Sequence, residues 1–143
     1  MARILIIEDS AHQRTSLKNL VIHQGHELLL AEDGAQGLEL VAKVDLVLCD
    51  VFMPILDGFE FLEALAERGD STLTLMVSCD LTEAEHQRCL RLGARGLLEK
   101  PVRNEALAAW LLELLTPEQR GSAPAQHQEL FSTSPMPPAP GTM

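Results

Sequence analysis

Short apolar runs alternate with helically spaced apolar residues along most of this chain, and each apolar run gives way to a polar or charged residue. Ile4-Leu5-Ile6-Ile7 is continuous, with no polar partner face, and reads as a strand buried on both sides. Leu17, Leu20 and Val21, with Ala11 before them, then recur at helical spacing, and Gly25 stands where a helix would close. Residues 27–31 and 46–49 repeat the strand signal. Between them Ala35, Leu38 and Val41 mark a short helix. Phe59, Leu62, Leu65 and Ala66 predict a third helix, ended at Gly69, and residues 73–77 a fourth strand. Thr82-Glu83-Ala84-Glu85 matches a capping box, with Thr82 as N-cap of a helix running to Leu92 before Gly93. Residues 96–99 are the fifth strand. Residues 105–115 are the last helix, with Asn104 as its expected N-cap and Leu107, Leu111, Leu114 and Trp110 in the core.

Five strands alternating with five helices imply a parallel sheet covered on both faces. At about 115 residues an open, doubly wound sheet is favoured over a closed barrel, which needs roughly 200 or more. Beyond Thr116 the composition changes. Six of the eight prolines fall there, among Ser, Thr, Ala and Gln. Residues 1–116 are therefore one folded domain. Residues 117–143 are expected to be a disordered tail, because such a stretch buries too little surface to offset its ordering entropy.

Composition excludes several functions. Among 143 residues, acids outnumber Lys and Arg by 21 to 11, for a net charge of −10, so nucleic-acid binding through a basic face is not expected. No apolar run approaches the length of a membrane span, and the apolar core of the N-terminus is too short for a signal peptide. The three cysteines lack CxxC or Cys/His spacing, which argues against a disulfide framework or a zinc site and fits a reducing cytoplasm. Cys49 and Cys79 read as small buried apolar residues at strand ends.

The first strand ends on Glu8-Asp9, the third on Asp50, the fourth on Ser78 and the fifth on Lys100-Pro101. In a parallel sheet these ends share one edge, and ligands of open α/β sheets bind there, where strand order reverses. With strand order 2-1-3-4-5, Glu8, Asp9 and Asp50 would meet, faced by Ser78 and Lys100. Each carboxylate pair at about 4 Å would cost roughly 1 to 4 kcal/mol, a cost that a proton or a cation must relieve. A few hard oxygen ligands open to water suit Mg²⁺ better than zinc. With Lys100 as a second cation and the Ser78 hydroxyl as a hydrogen-bonding group, these are the parts for phosphoryl transfer onto Asp50.

The set Glu8-Asp9, Asp50-x-x-Met53-Pro54-x-x-Asp57-Gly58, Ser78 and Lys100-Pro101 resembles the receiver domains of two-component response regulators. The resemblance covers residues 2 to about 116 and implies the flavodoxin-like (βα)5 receiver fold. It implies Asp50 as phospho-acceptor, supplied by a sensor histidine kinase or a histidine phosphotransferase. Asp9 would ligate Mg²⁺ directly and Glu8 through water, with Asp50 and the backbone carbonyl of Phe52 completing the protein's share. Ser78 becomes the switch hydroxyl and Lys100 the phosphate-binding cation, before a cis proline. Such a domain accepts a phosphoryl group, with at most slow self-dephosphorylation, and is not a turnover enzyme. Its output would be contact with a downstream protein that the sequence does not name, with no DNA-binding domain in this chain. Dimerisation through the fourth and fifth helices is left open. The alternative reading is a receiver-like interaction module that works without phosphate. Leu97 favours it slightly, since receivers usually carry Tyr or Phe there. Asp57 reads as a helix cap. His23 and His26 read as solvated, and His12 as a neighbour of the acids.

Overall fold

The computed structural model describes residues 1–115 of the 143, so the Pro-rich tail lies outside the described residues. Five strands, β1 (Arg3–Ile7), β2 (Glu27–Ala31), β3 (Leu46–Asp50), β4 (Leu73–Ser78) and β5 (Gly96–Glu99), alternate with five helices. The helices are α1 (Ala11–His23), α2 (Gly34–Leu40), α3 (Gly58–Glu67), α4 (Glu83–Arg91) and α5 (Asn104–Leu114), and a single 3-10 turn, Val41–Lys43, follows α2. All pairings are parallel, and the order is β2-β1-β3-β4-β5. The five-stranded, doubly wound α/β sheet expected from the alternation is therefore the observed one.

The continuous apolar runs are explained by two cores, one on each face of the sheet. Leu5 and Ile7 of β1, Val47 and Cys49 of β3, Met76 of β4 and Leu97 of β5 face Phe59, Phe61, Leu62 and Leu65 of α3 and Cys89 of α4. Their strand neighbours Ile4, Ile6, Leu46, Leu48, Leu75, Val77 and Leu98 face Leu17 and Val21 of α1 and the α5 residues Leu107, Trp110, Leu111 and Leu114. Side chains alternate across a strand, so a strand between two helical layers needs apolar residues at both phases. All five residues of β3 are buried.

Local signals set the helix ends. Asp57 caps α3 and Thr82 caps α4, and in both the N3 glutamate reaches back to the cap N–H, completing a capping box. Gly25, Gly69 and Gly93 follow α1, α3 and α4 at φ +86°, +68° and +112°, a region glycine enters without a Cβ penalty. Two expectations are corrected. Asn104 is the first residue of α5, and Arg103 occupies the cap without a side-chain bond. The Asn104 side chain instead accepts a hydrogen bond from Gln24 Nε2 at 2.6 Å, tying α5 to the end of α1. His26 is not simply solvated: it is half-buried and its Nδ1 accepts from Ala2 N at 3.0 Å, burial pulling its pKa down.

Candidate functional site

Register brings the strand ends together. Ile7 pairs with Cys49, which sets Glu8 beside Asp50, while Asp50 pairs with Val77 and Ser78 with Glu99. Glu8, Asp50 and Ser78 are buried; Asp9 is exposed. One carboxylate oxygen from each of Glu8, Asp9 and Asp50 lies within 4.8 Å of the others. Opposite them, Lys100 Nζ stands 2.8 Å from Glu8 Oε1 and 3.2 Å from Asp50 Oδ1. Its backbone is fixed by Lys100 N donating to Ser78 O at 3.0 Å, and the Lys100-Pro101 bond is cis, as the resemblance implies. Four of the five predicted side chains thus converge, and Ser78 holds the end of the next strand, one residue beyond the partner of Asp50.

The electrostatics follow from this crowding. Burial, and then the charge of Glu8, push the Asp50 carboxyl from its ordinary 3.8 up to about 6, against the pull of Lys100. For Lys100, burial opposes the charge, but the close pairing with Glu8 and the charge of Asp50 outweigh it and raise its pKa. Three acids facing one ammonium leave an excess of negative charge beside an exposed edge. The donors are all hard oxygens, and Asp9 opens the cluster to water. That set fits Mg²⁺, which keeps part of its water shell and takes few protein ligands. Glu8 is already partly committed: Oε1 to Lys100, and Oε2 to the N–H of Ser10 at 3.1 Å.

The loop after Asp50 answers why the third strand stops at an acid and leads to Met53-Pro54 and Asp57-Gly58. Gly58 opens α3 directly against the strand end, with its N–H donating to Val51 O at 2.7 Å. A Cβ on residue 58 would lie 2.7 Å from the Asp50 carbonyl, 2.7 Å from Met76 Cε and 2.8 Å from Val51 Cα, so only glycine permits this approach. Between them, Leu56 N donates to Pro54 O at 2.8 Å around Ile55, whose φ is +72°. This is a γ-turn with a β-branched residue at its strained centre. Ile55 is also 78% exposed, an apolar side chain set out at the rim of the site. Phe52, half-exposed, packs edge-on against Phe59 at 6.1 Å between ring centroids, which anchors the segment whose carbonyl was assigned to the metal.

One side chain departs from expectation and two were not anticipated. Cys79 is exposed rather than buried, because β4 ends at Ser78 and the chain turns out of the core there. Cys49 and Cys89 are buried. Leu97 packs inward, 7% exposed, within the core under α3 and α4. Gln13 of α1, which composition gave no reason to notice, hydrogen-bonds through Oε1 to Lys100 Nζ. Arg14 donates to Glu8 O at 2.7 Å, tying the first turn of α1 to the end of β1.

Comparison with known proteins agrees with this geometry. The family described as the response regulator receiver domain matches residues 4–112. Regulator of RpoS from Escherichia coli K12 is 34% identical over 132 residues, covering 90% of this chain and 39% of that protein. Protein PilH of Pseudomonas aeruginosa is 35% identical over 111 residues, covering 75% of this chain and 92% of PilH. The chain spans about two fifths of Regulator of RpoS and about half of the Response regulator MprA proteins it also matches. Among solved structures, the chemotaxis protein CheY4 of Vibrio cholerae superposes with a TM-score of 0.72 at 30% identity, covering 78% of this chain and 97% of that one. A CheY-like receiver domain protein from Methanospirillum hungatei gives 0.74 at 25% identity, covering 91% and 98%. No helix among the described residues is long and apolar enough to cross a membrane. With the strand order, the acid cluster and the family match in agreement, this chain belongs to the response regulator receiver domains.

Proposed function

We propose that Asp50 accepts a phosphoryl group from a phosphohistidine on a sensor histidine kinase or a histidine phosphotransferase, in two-component signal transduction in the cytoplasm. The observation that carries this reading is the ammonium of Lys100 at 3.2 Å from Asp50 Oδ1, opposite an acid cluster whose oxygens lie within 4.8 Å of one another. A carboxylate oxygen of Asp50 attacks phosphorus, the bond from phosphorus to the donor imidazole breaks, and the imidazole leaves with its electron pair and takes a proton. Lys100 then meets the charge on the transferred oxygens, and the Ser78 hydroxyl is the hydrogen-bonding group on the neighbouring strand. Glu8, Asp9, Asp50 and the Phe52 carbonyl are the residues that would hold Mg²⁺. Bound there, the ion supplies charge neutralisation for an anionic nucleophile meeting an anionic donor.

With its pKa at about 6, the Asp50 carboxyl is still mostly ionised, hence nucleophilic, at neutral pH, and a cation beside it favours that form further. The consequence of phosphorylation is a change in contacts with a downstream protein. The chain accepts one group per cycle and does not act as a turnover enzyme. Incubation with Mg²⁺ and acetyl phosphate tests the reading by intact mass. Wild type gains the mass of one phosphoryl group and Asp50→Asn does not. A wild type that gains nothing would favour the phosphate-independent interaction module.

A further inference from the structure

We propose that Gln13 is a positioning residue, which holds the Lys100 ammonium over Asp50 before the phosphoryl group arrives; this rests on Asp50 being the acceptor. The first turn of α1 breaks a local sequence pattern. Ser10-x-x-Gln13 has the form of a capping box, in which the N3 side chain should return to the N–H of the cap residue. Half of the box forms: Ser10 caps α1, and its Oγ accepts from Gln13 N at 3.2 Å. The other half does not. The Ser10 N–H is taken by Glu8 Oε2 at 3.1 Å. In the boxes of α3 and α4 the matching glutamates, Glu60 and Glu85, do return to their caps at 2.9 Å. Gln13, relieved of that duty, turns its amide oxygen to Lys100.

The ammonium is held from three sides. Lys100 Nζ donates hydrogen bonds to Asp50 Oδ1 and Gln13 Oε1, and it pairs as an ion with Glu8 Oε1 at 2.8 Å. Two of these partners are anions and the third is neutral. An amide at this place fixes the ammonium without adding a fourth carboxylate to a cluster that already repels a phosphoryl donor. Its backbone is fixed in turn by the Ser10 cap, so the acceptor is presented from a rigid first turn. Gln13 and Lys100 also line a cleft of ≈ 730 Å³ between α1 and the segment after β5. A cation kept in place before reaction needs no reorganisation during it.

The test is a double-mutant cycle on phosphorylation by acetyl phosphate in Mg²⁺. Gln13→Met keeps the length and the helix propensity but removes the acceptor. It should lower the second-order rate constant about three- to tenfold, the scale of one hydrogen bond from a charged donor at an exposed position. In a Lys100→Met background the same change should cost nothing further, because a residue that acts through Lys100 loses its effect with Lys100. Equal proportional losses in both backgrounds, or no loss in the single variant, would overturn the proposal. Mg²⁺ affinity, followed by amide chemical shifts, should not change in Gln13→Met, and a parallel drop there would mark a general collapse of the site and also overturn it. The ¹⁵N signal of the Lys100 ammonium supplies a readout independent of phosphorylation. It should be seen in wild type and broaden or vanish in Gln13→Met, and its persistence unchanged would refute the role of Gln13. A wild type that takes no phosphoryl group would count against Asp50 as acceptor, while the ammonium signal would still decide for or against Gln13.

Discussion

Replacing Asp50 by asparagine should make the metal-free protein more stable at neutral pH, and the gain should disappear on acidification. Folding raises the Asp50 pKa from 3.8 to about 6. The folded state therefore holds this proton more tightly than the unfolded one. Below pH 3.8 both states are protonated and the site carries no charge penalty. Between 3.8 and about 6 the unfolded chain ionises first, so stability falls as pH rises; above about 6 the penalty is complete. At about 1.36 kcal/mol for each tenfold change in ionisation, the full penalty is about 3 kcal/mol. Asparagine removes it but keeps an amide oxygen for Lys100, whose raised pKa shows that it draws some stability from Asp50. The net gain should then be about 1 to 2 kcal/mol at pH 7.5, or on the order of 5 to 10 °C in Tm for a domain of this size. At pH 4.5 only about a third of the penalty is present, and the difference should shrink in proportion. Urea unfolding in EDTA, followed through the single, fully buried Trp110, measures both values. Adding Mg²⁺ should stabilise wild type more than the variant, because a ligand bound only to the folded state adds its binding free energy. A variant no more stable than wild type at pH 7.5, or one whose advantage is equal at pH 4.5, would refute the claim that buried charge at Asp50 is a cost.

Three further outcomes are expected. Gly58→Ala sets a Cβ at 2.7 Å from the Asp50 carbonyl and should cost about 2 to 3 kcal/mol in urea unfolding, since backbone rather than a flexible side chain must yield. Ile55→Gly relieves a positive φ at an exposed position and should raise stability by up to about 1 kcal/mol, net of the entropy glycine adds to the unfolded chain. In native protein an aromatic disulfide reagent should titrate Cys79 alone at pH 8 and all three thiols in denaturant, because Cys49 and Cys89 are buried and burial raises the Cys89 thiol to about 11.

Much of the fold could be read ahead because each layer has its own period. β3 is apolar at both phases, which only a strand between two helical layers requires, and the helix ends carry glycines at the positions where φ turns positive. The acids, Ser78 and Lys100 were legible for a related reason. A polar residue that ends a buried parallel strand must lie at the carboxyl edge, so knowing the strands fixes the edge. What the pattern could not foretell was any feature set by the residue after the edge. Cys79 follows an apolar run and was read as its continuation, yet the strand ends at Ser78 and the thiol leaves the core. Asn104 has the chemistry of a cap but spends its side chain on Gln24, eighty residues away, and a competing tertiary partner leaves no mark in local sequence.

The same competition explains why Gln13 was overlooked and what kind of site this is. Residue types tell which bonds a side chain can make, and local spacing ranks them. Ser10-x-x-Gln13 ranks the cap first. The ranking fails because Glu8, buried at the end of β1, must neutralise two needs at once: its Oε2 satisfies the Ser10 N–H, and its Oε1 meets Lys100. One carboxylate thereby replaces the N3 side chain in the cap and releases it to the ammonium. Helix capping and placement of the cation are thus a single arrangement, joined at Glu8. It follows that Glu8→Gln would disturb more than the acid cluster. An amide there keeps an oxygen for Ser10 N–H but gives up the charge facing Lys100, so the ammonium would lean on Asp50 and Gln13 instead, and the contribution of Gln13 to phosphorylation should grow in that background. A smaller effect of Gln13→Met there than in wild type would show that the two acceptors do not share one cation.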